Sequence, residues 1–135
     1  MQAFAHACAE SVADEQADRI REGNVVLQLA DALAWGGPPL WNRAGVLEAM
    51  LAAGAYESAV MALLGPEVCF MLSRGGSGLC LATVVLPGSE NEVTAEASTP
   101  ALALLTALAS ALLDYGEQYP MSSANLGTPD PARFI

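Results

Sequence analysis

Residues 98–114, STPALALLTALASALLD, form the longest apolar run of the chain and decide its fold. Thr99 is a favourable N-cap, and Pro100 suits the first turn of a helix, where its missing N–H loses no partner. Six leucines follow, of which four lie at spacings close to the 3.6-residue helical period while Leu104 and Leu113 widen the apolar face. They are Leu102, Leu104, Leu105, Leu108, Leu112 and Leu113. Because a helix this apolar must be covered, we predict a core helix to about Asp114, closed by Tyr115-Gly116.

Three short strands are predicted before this helix. The apolar segments 68–72 and 79–86 flank the sequence RGGSG at 74–78, which is typical of a β-hairpin with a glycine-rich turn. Residues 92–98 alternate, with Glu92, Thr94 and Glu96 on one side and alanine or valine on the other. This alternation predicts an edge strand with one wet face. The first two strands are apolar on both faces, so we expect the middle of the sheet to be covered on both sides.

Four helices are predicted ahead of the sheet. Gly23-Asn24 is expected to separate the first two, with Asn24 capping the second. Gly54 suits the left-handed position after the third helix, although the third and fourth could also form one longer, bent helix. The predicted ranges are 7–22, 25–35, 42–53 (capped by Asn42) and 56–64.

These elements predict one α+β domain over residues 1–119. It has N-terminal helices, a three-stranded antiparallel meander in sequence order, and the C-terminal core helix packed on the sheet, in α/β/α-like layering. Residues 1–23 are predicted to be a peripheral acidic helix, because Val12, Ile20 and a few alanines make a thin apolar side. Residues 120–135 hold three of the eight prolines and are predicted to be an extended or disordered tail.

Net charge is the strongest constraint on function. The chain has fifteen acidic residues, five arginines and no lysine, which gives a net charge of −10. Nucleic acids and anionic membranes are bound through clustered Lys and Arg, so the composition argues against both as direct ligands. No apolar run reaches the ~20 residues of a membrane span. The acidic composition instead fits a protein partner with a basic surface.

The N-terminus and the cysteines predict a cytoplasmic protein. The first residues lack the basic start and leucine-rich centre of a signal peptide. Cys8, Cys69 and Cys80 are odd in number and show no CxxC spacing, which favours reduced thiols. Cys69 and Cys80 fall in predicted strands and could face each other, but we expect them to be small buried hydrophobes.

Carboxylates at a strict four-residue spacing form the first candidate site. They are Glu10, Asp14, Asp18 and Glu22, and they line one face of the first predicted helix. Like charges at this spacing repel by a few tenths of a kcal/mol per pair, which Arg19 and Arg21 partly offset. Two interpretations remain open: a solvated helix face, or an acidic strip that docks on arginines of another protein.

Trp35 and Trp41 form the second candidate site, on either side of the rigid loop Gly36-Gly37-Pro38-Pro39. Exposed aromatic residues beside such a loop are typical of a binding surface. The alternative is that both rings close over the edge of the core.

No pattern in the chain indicates catalysis. The only histidine is His6, so any Ser-His or Cys-His pair would depend on a residue next to the terminus. Metalloprotease, Cys/His metal and Walker motifs are absent, and the sequence at 74–78 joins two predicted strands. Glu92 and Glu96 could hold a divalent ion, but two acids at this spacing usually face solvent. We therefore predict no enzymatic activity, no metal and no cofactor.

Residues 95–108, AEASTPALALLTAL, resemble the closing motif of the phage ABA-sandwich domain family. In that motif a strand end leads into a Thr-Pro-like helix start and an Ala-Leu-x-x-Ala pattern, here Ala103-Leu104 and Ala107. The resemblance implies a phage or prophage origin and brings no catalytic residues.

Combined with the charge, this resemblance predicts a non-enzymatic phage accessory protein that binds a protein partner. An inhibitor of a host nucleic-acid-handling defence complex, anti-CRISPR-like and acting as a phosphate mimic, fits the acidic composition. The alternative is a structural, self-associating phage domain that forms a homo-oligomer such as a homodimer.

Overall fold

The computed structural model describes residues 1–30 and 44–118. Its helices are α1 (Gln2–Glu10), α2 (Gln16–Ala30), α3 (Ala44–Ala52), α4 (Tyr56–Leu64) and α5 (Pro100–Gln118), with a short 3₁₀ turn at Ala13–Glu15. Its strands are β1 (Cys69–Arg74), β2 (Cys80–Val85) and β3 (Val93–Ala97). The predicted α+β class is confirmed, and each strand lies within two residues of its predicted bounds.

Helix α5 lies at the centre of the hydrophobic core. Residues 101–109 are all buried, so this part of the helix is covered on every side. It packs on β2 and β3 and also contacts α1, α2 and α4. Its start is capped as predicted, because the Thr99 hydroxyl accepts a hydrogen bond from the Leu102 N–H at 3.1 Å. The helix continues past Tyr115-Gly116 to Gln118, since Tyr115 packs against the core and supports the additional turn.

The sheet is an antiparallel meander in the order β1-β2-β3. The Gly75 N–H donates to the Leu79 carbonyl at 2.8 Å, and the Gly78 N–H donates to the Gly75 carbonyl at 3.1 Å. Gly78 has a φ of +90°, which completes a three-residue hairpin loop with a glycine bulge. The predicted hairpin is therefore confirmed.

The two faces of the sheet differ in exposure. Cys80, Ala82 and Val84 of β2 are buried on the inner face, against α5. On the outer face the hydroxyls of Thr83 and Thr94 lie 2.8 Å apart, and Glu96 is exposed, so the predicted wet face of β3 is confirmed. The helix that covers the sheet lies on the inner face alone. The expected cover on both sides is not provided by the described residues.

The N-terminal region is two helices rather than the single helix predicted over 7–22. The Ser11 hydroxyl donates to the Ala7 carbonyl at 2.6 Å, which competes with continued helical bonding. The Val12 N–H donates to Glu15 Oε1 at 2.9 Å and so caps the turn that leads into α2.

The prediction that this region is peripheral is wrong. Helix α1 packs along α5 and also contacts β3. Cys8 of α1 and Ile20 of α2 are both 0 % exposed. Residues 1–23 therefore contribute directly to the core.

Gly23 does not end a helix, because α2 continues through Gly23-Asn24 to Ala30. A Cβ atom added at Gly23 would lie 3.1 Å from Leu105 Cδ1 and 3.1 Å from Phe4 Cζ. The glycine thus allows α2 to pack closely on α5 and α1, and this tertiary contact outweighs its poor helix propensity.

Helix α4 has the predicted bounds, Tyr56–Leu64. Gly54 has a φ of +74° and separates α3 from α4, so the two helices are distinct. The predicted Asn42 cap, the end of the predicted helix 25–35 and the predicted tail at 120–135 lie outside the described residues.

Candidate functional site

Partly buried polar contacts join the turn between α1 and α2 to the start of α5. The Thr99 hydroxyl donates to Gln16 Oε1 at 2.9 Å, and Gln16 Nε2 donates to the Ala13 carbonyl at 3.1 Å. The Ser98 hydroxyl donates to the Ser11 carbonyl at 2.9 Å. Any side chain that the turn presents to solvent therefore has a rigid support.

The four spaced carboxylates surround this turn, and we call Glu10, Asp14, Asp18 and Glu22 the acidic turn. Glu10 ends α1, Asp14 lies in the 3₁₀ turn, and Asp18 and Glu22 lie on α2. The prediction that all four share one face of a single helix is wrong. Asp18 and Glu22 alone keep the i, i+4 relation, about 6 Å apart along the axis at 1.5 Å per residue. All four residues are exposed.

Arg21 is held mainly by a carboxylate outside the acidic turn. Its Nε donates to Glu48 Oε2 at 2.8 Å and its Nη2 donates to Glu48 Oε1 at 3.0 Å, a bidentate pair between α2 and α3. These hydrogen bonds raise the pKa of Arg21 and lower the pKa of Glu48. The contact from Arg21 Nη1 to Asp18 Oδ1 is longer, at 3.4 Å. Arg21 therefore compensates Asp18 only weakly.

Three of the four carboxylates keep most of their negative charge uncompensated. Glu22 is paired with Arg19. Glu10 is 4.0 Å from His6 Nε2, Asp14 makes no hydrogen bond or ion pair within the described residues, and the Asp18 side chain is 71 % exposed. Such carboxylates attract cationic groups of a partner.

A second acidic surface was not predicted. Glu90 and Glu92, before β3, line an open hollow together with Asp114 near the end of α5, and we call these three the acidic hollow. Asn91 Nδ2 donates to Asp114 Oδ2 at 3.3 Å. Glu96, which the sequence paired with Glu92, does not line this hollow. Within residues 1–30 and 44–118, no three His, Cys, Asp or Glu side chains are grouped to hold a metal ion.

The cysteines occupy different environments. Cys8 is fully buried, and this desolvation raises the pKa of its thiol to about 12. Cys80 is buried as expected, but Cys69 is exposed, which corrects the prediction of a buried residue. Cys69 pairs with Val85 in the sheet, so it does not face Cys80.

These environments predict selective thiol labelling. At about pH 8 an aromatic disulfide reagent should modify one thiol of the folded chain, Cys69, because the reactive species is the thiolate and the other two thiols are buried. Cys8 and Cys80 should react only in denaturant. The Cys69→Ser variant should be unreactive when folded. Labelling of Cys8 as fast as Cys69 would show that α1 does not pack as described.

Trp35 and Trp41 lie outside the described residues.

None of the helices in 1–30 and 44–118 has the length and apolar character needed to cross a membrane. The chain matches no protein-family model, no curated protein and no solved structure. The phage ABA-sandwich resemblance therefore stays a prediction.

Proposed function

We propose that this protein is a non-enzymatic accessory factor of phage origin that acts in the host cytoplasm and binds a protein partner through its acidic turn. The partner is a host nucleic-acid-handling defence complex whose arginines normally hold phosphates. The protein inhibits it by offering carboxylates in their place, in the manner of an anti-CRISPR protein. The observation that supports this most is the exposure of Glu10, Asp14 and Asp18 without strong compensation, in a chain with a net charge of −10.

Arginine recognises carboxylates and phosphates with the same planar pair of N–H donors. An arginine that binds a phosphate can therefore bind an Asp or Glu side chain in the same way. The contacts that Asp18 and Glu22 make within the chain are exposed, and such pairs contribute about 0.2–1 kcal/mol each. Arginines of a partner can replace them at little loss of stability.

Charge spacing limits how closely the acidic turn imitates a nucleic acid. Asp18 and Glu22 are separated by about 6 Å along α2, whereas a nucleic-acid strand carries one charge per 3.4 Å of duplex. The carboxylates would steer encounter and orientation, and further contacts of the docked surface would supply the remaining affinity. The phage origin is supported by the resemblance of residues 95–108, where β3 leads directly into α5.

Charge reversal tests the proposal. The Asp14→Lys/Asp18→Lys variant should lose the basic proteins that the immobilised wild-type chain captures from a bacterial host lysate. Added duplex DNA should displace those proteins from the wild type, because both ligands use the same arginines. Since Asp14 and Asp18 also favour the N-terminus of α2, an Asp14→Asn/Asp18→Asn variant should show a smaller loss without a charge clash.

The matched control is Glu90→Lys/Glu92→Lys in the acidic hollow. Both lysine variants have a net charge of −6, so an effect of overall acidity would weaken them equally. Equal weakening, or capture that persists unchanged in the Asp14→Lys/Asp18→Lys variant with no salt dependence, would overturn the assignment of the acidic turn as the binding surface.

A further inference from the structure

The two edges of the sheet are protected to different extents. Strand β3 forms one edge. Its outer face bears the exposed Glu96, Glu92 directly precedes it, and helix α1 contacts it. Among residues 1–30 and 44–118, β1 pairs with β2 alone and no strand lies along its other edge, which we call the open edge. The segment 68–86, which contains β1 and β2, holds no Asp or Glu in a chain with fifteen acids. Charged side chains on an edge strand hinder its pairing with a strand of another molecule. Strand β1 has one charged residue, Arg74, at its end.

Strand β1 also exposes apolar side chains. Met71 is 73 % exposed on the outer face, and Phe70 is 38 % exposed. These are the features of a strand that binds another strand: main-chain groups supply hydrogen bonds and alternate side chains supply contact area.

The hairpin geometry determines which main-chain groups point away from β2. The Gly75 N–H donates to Leu79, so these two residues form a hydrogen-bonded pair. Pairs alternate along an antiparallel ladder, which makes Ser73 and Met71 bond to β2. The N–H and C=O groups of Phe70, Leu72 and Arg74 are therefore directed to the open edge.

Opposite charges flank the open strand. Glu67 precedes β1 and Arg74 ends it, and both are exposed. Neither takes part in an ion pair among the described residues. An antiparallel second copy would place the Arg74 end of each β1 beside the Glu67 end of the other, so opposite charges attract at both ends of the paired strands, whereas a parallel copy would place like charges together.

We propose that β1 pairs antiparallel with β1 of a second copy, about a two-fold axis at Met71, to form a continuous six-stranded sheet. In this register Phe70 lies opposite Leu72 of the second copy, so outward-directed main-chain groups meet. Arg74 lies opposite Val68 of the second copy, next to its Glu67. Such an interface is self-complementary, as a two-fold contact requires.

Net charge favours this surface over any other for self-association. Two chains of charge −10 repel one another, so a stable contact is favoured where acids are few and are matched by arginines. The β1 edge is such a place, and it is separate from the acidic turn on α1 and α2. The inference is therefore independent of the proposed function, and one chain can engage both partners at once.

Sedimentation velocity of the full-length chain tests the dimer. The wild type should sediment as a dimer at about 50 µM, and Met71→Lys should raise the dissociation constant about a hundredfold, since it removes two apolar contacts and places two lysines at the axis. The matched control is Val25→Lys, which adds the same charge at a side chain that is 57 % exposed on α2. This control should remain dimeric.

A charge swap tests the antiparallel register. Glu67→Arg alone should weaken the dimer by up to about tenfold, because it places like charges at both ends of the paired strands. Glu67→Arg/Arg74→Glu should restore the dimer, because the double substitution places opposite charges there again. A wild type that stays monomeric at about 50 µM would overturn the proposal, even if β1 captured a strand of another protein. A dimer that Met71→Lys leaves intact would overturn it equally.

Discussion

Replacing Leu105 with alanine is expected to lower the free energy of unfolding by about 3–5 kcal/mol. Leu105 is 1 % exposed and lies on α5 where this helix meets Gly23 of α2 and Phe4 of α1. Because α5 is covered on all sides around Leu105, the surrounding elements cannot collapse fully into the cavity. The lost methyl groups and the residual cavity therefore both contribute to the loss of stability.

Urea denaturation followed by circular dichroism measures this effect. Leu113→Ala is the matched control, because Leu113 lies on the same helix and is only partly buried. It should cost less than half as much as Leu105→Ala. Equal losses at the two positions would mean that α5 does not lie in the centre of the core.

Gly23→Val is expected to destabilise the fold by about 1–3 kcal/mol, because the new side chain must enter a packed core. A Cβ atom at position 23 would already lie 3.1 Å from the side chain of Leu105 and 3.1 Å from that of Phe4. Gly23→Ala should be close to neutral, since its gain in helix propensity of about 1 kcal/mol is offset by these contacts.

Gly45→Ala supplies the matched control for Gly23. Gly45 is also helical, is exposed, and has no atom within 4 Å of an added Cβ. Because Gly45 lies in the first turn of α3, the substitution should increase stability by less than the gain of about 1 kcal/mol in a helix interior, and no close contact should reduce this gain. In the Leu105→Ala background, Gly23→Ala should become more favourable than in the wild type, because one of the two close contacts, that with Leu105, is removed while that with Phe4 remains. A Gly23→Ala effect that is the same in both backgrounds would contradict the contact between α2 and α5.

Elements with a strong local pattern were predictable from the sequence. The leucine spacing and the Thr99-Pro100 start predicted α5, the RGGSG turn predicted the hairpin, and the alternation near Glu96 predicted the wet face of β3. In each case the signal lies within a few neighbouring residues, where helical and strand periodicity act directly.

Features that depend on tertiary contacts were not predictable. A glycine such as Gly23 can end a helix, or it can lie within a helix where another element packs closely against the backbone. The second case applies here because Leu105 of α5 packs against Gly23, and the sequence near Gly23 does not reveal this contact. The regular spacing of the acidic residues predicted one continuous helix. The helix is instead interrupted at Ser11-Val12, where side-chain hydrogen bonds compete with the helical ones. Arg21 forms its hydrogen bonds with Glu48, which is 27 positions away in the sequence. Asp114 of α5 lies beside Glu90 and Glu92, which precede β3. Both groupings depend on how distant segments pack.

The exposure of the outer face of the sheet was also not predictable from the sequence. Apolar residues on both sides of β1 and β2 predicted cover on both faces, because buried central strands have this composition. Whether a second layer exists depends on the rest of the molecule, and the helix that covers this sheet lies on the inner face. The exposure of Cys69 and Met71 follows from that arrangement.

Amide NMR spectra recorded during titration with an oligoarginine peptide test the central claim most directly. Binding through the acidic turn predicts that the largest shifts occur at Asp14, Asp18 and neighbouring amides, and that they disappear as salt screens the charges over about 8 Å at 0.15 M and less at higher salt. Largest shifts at Glu90, Glu92 and Asp114, or shifts unaffected by salt, would contradict it.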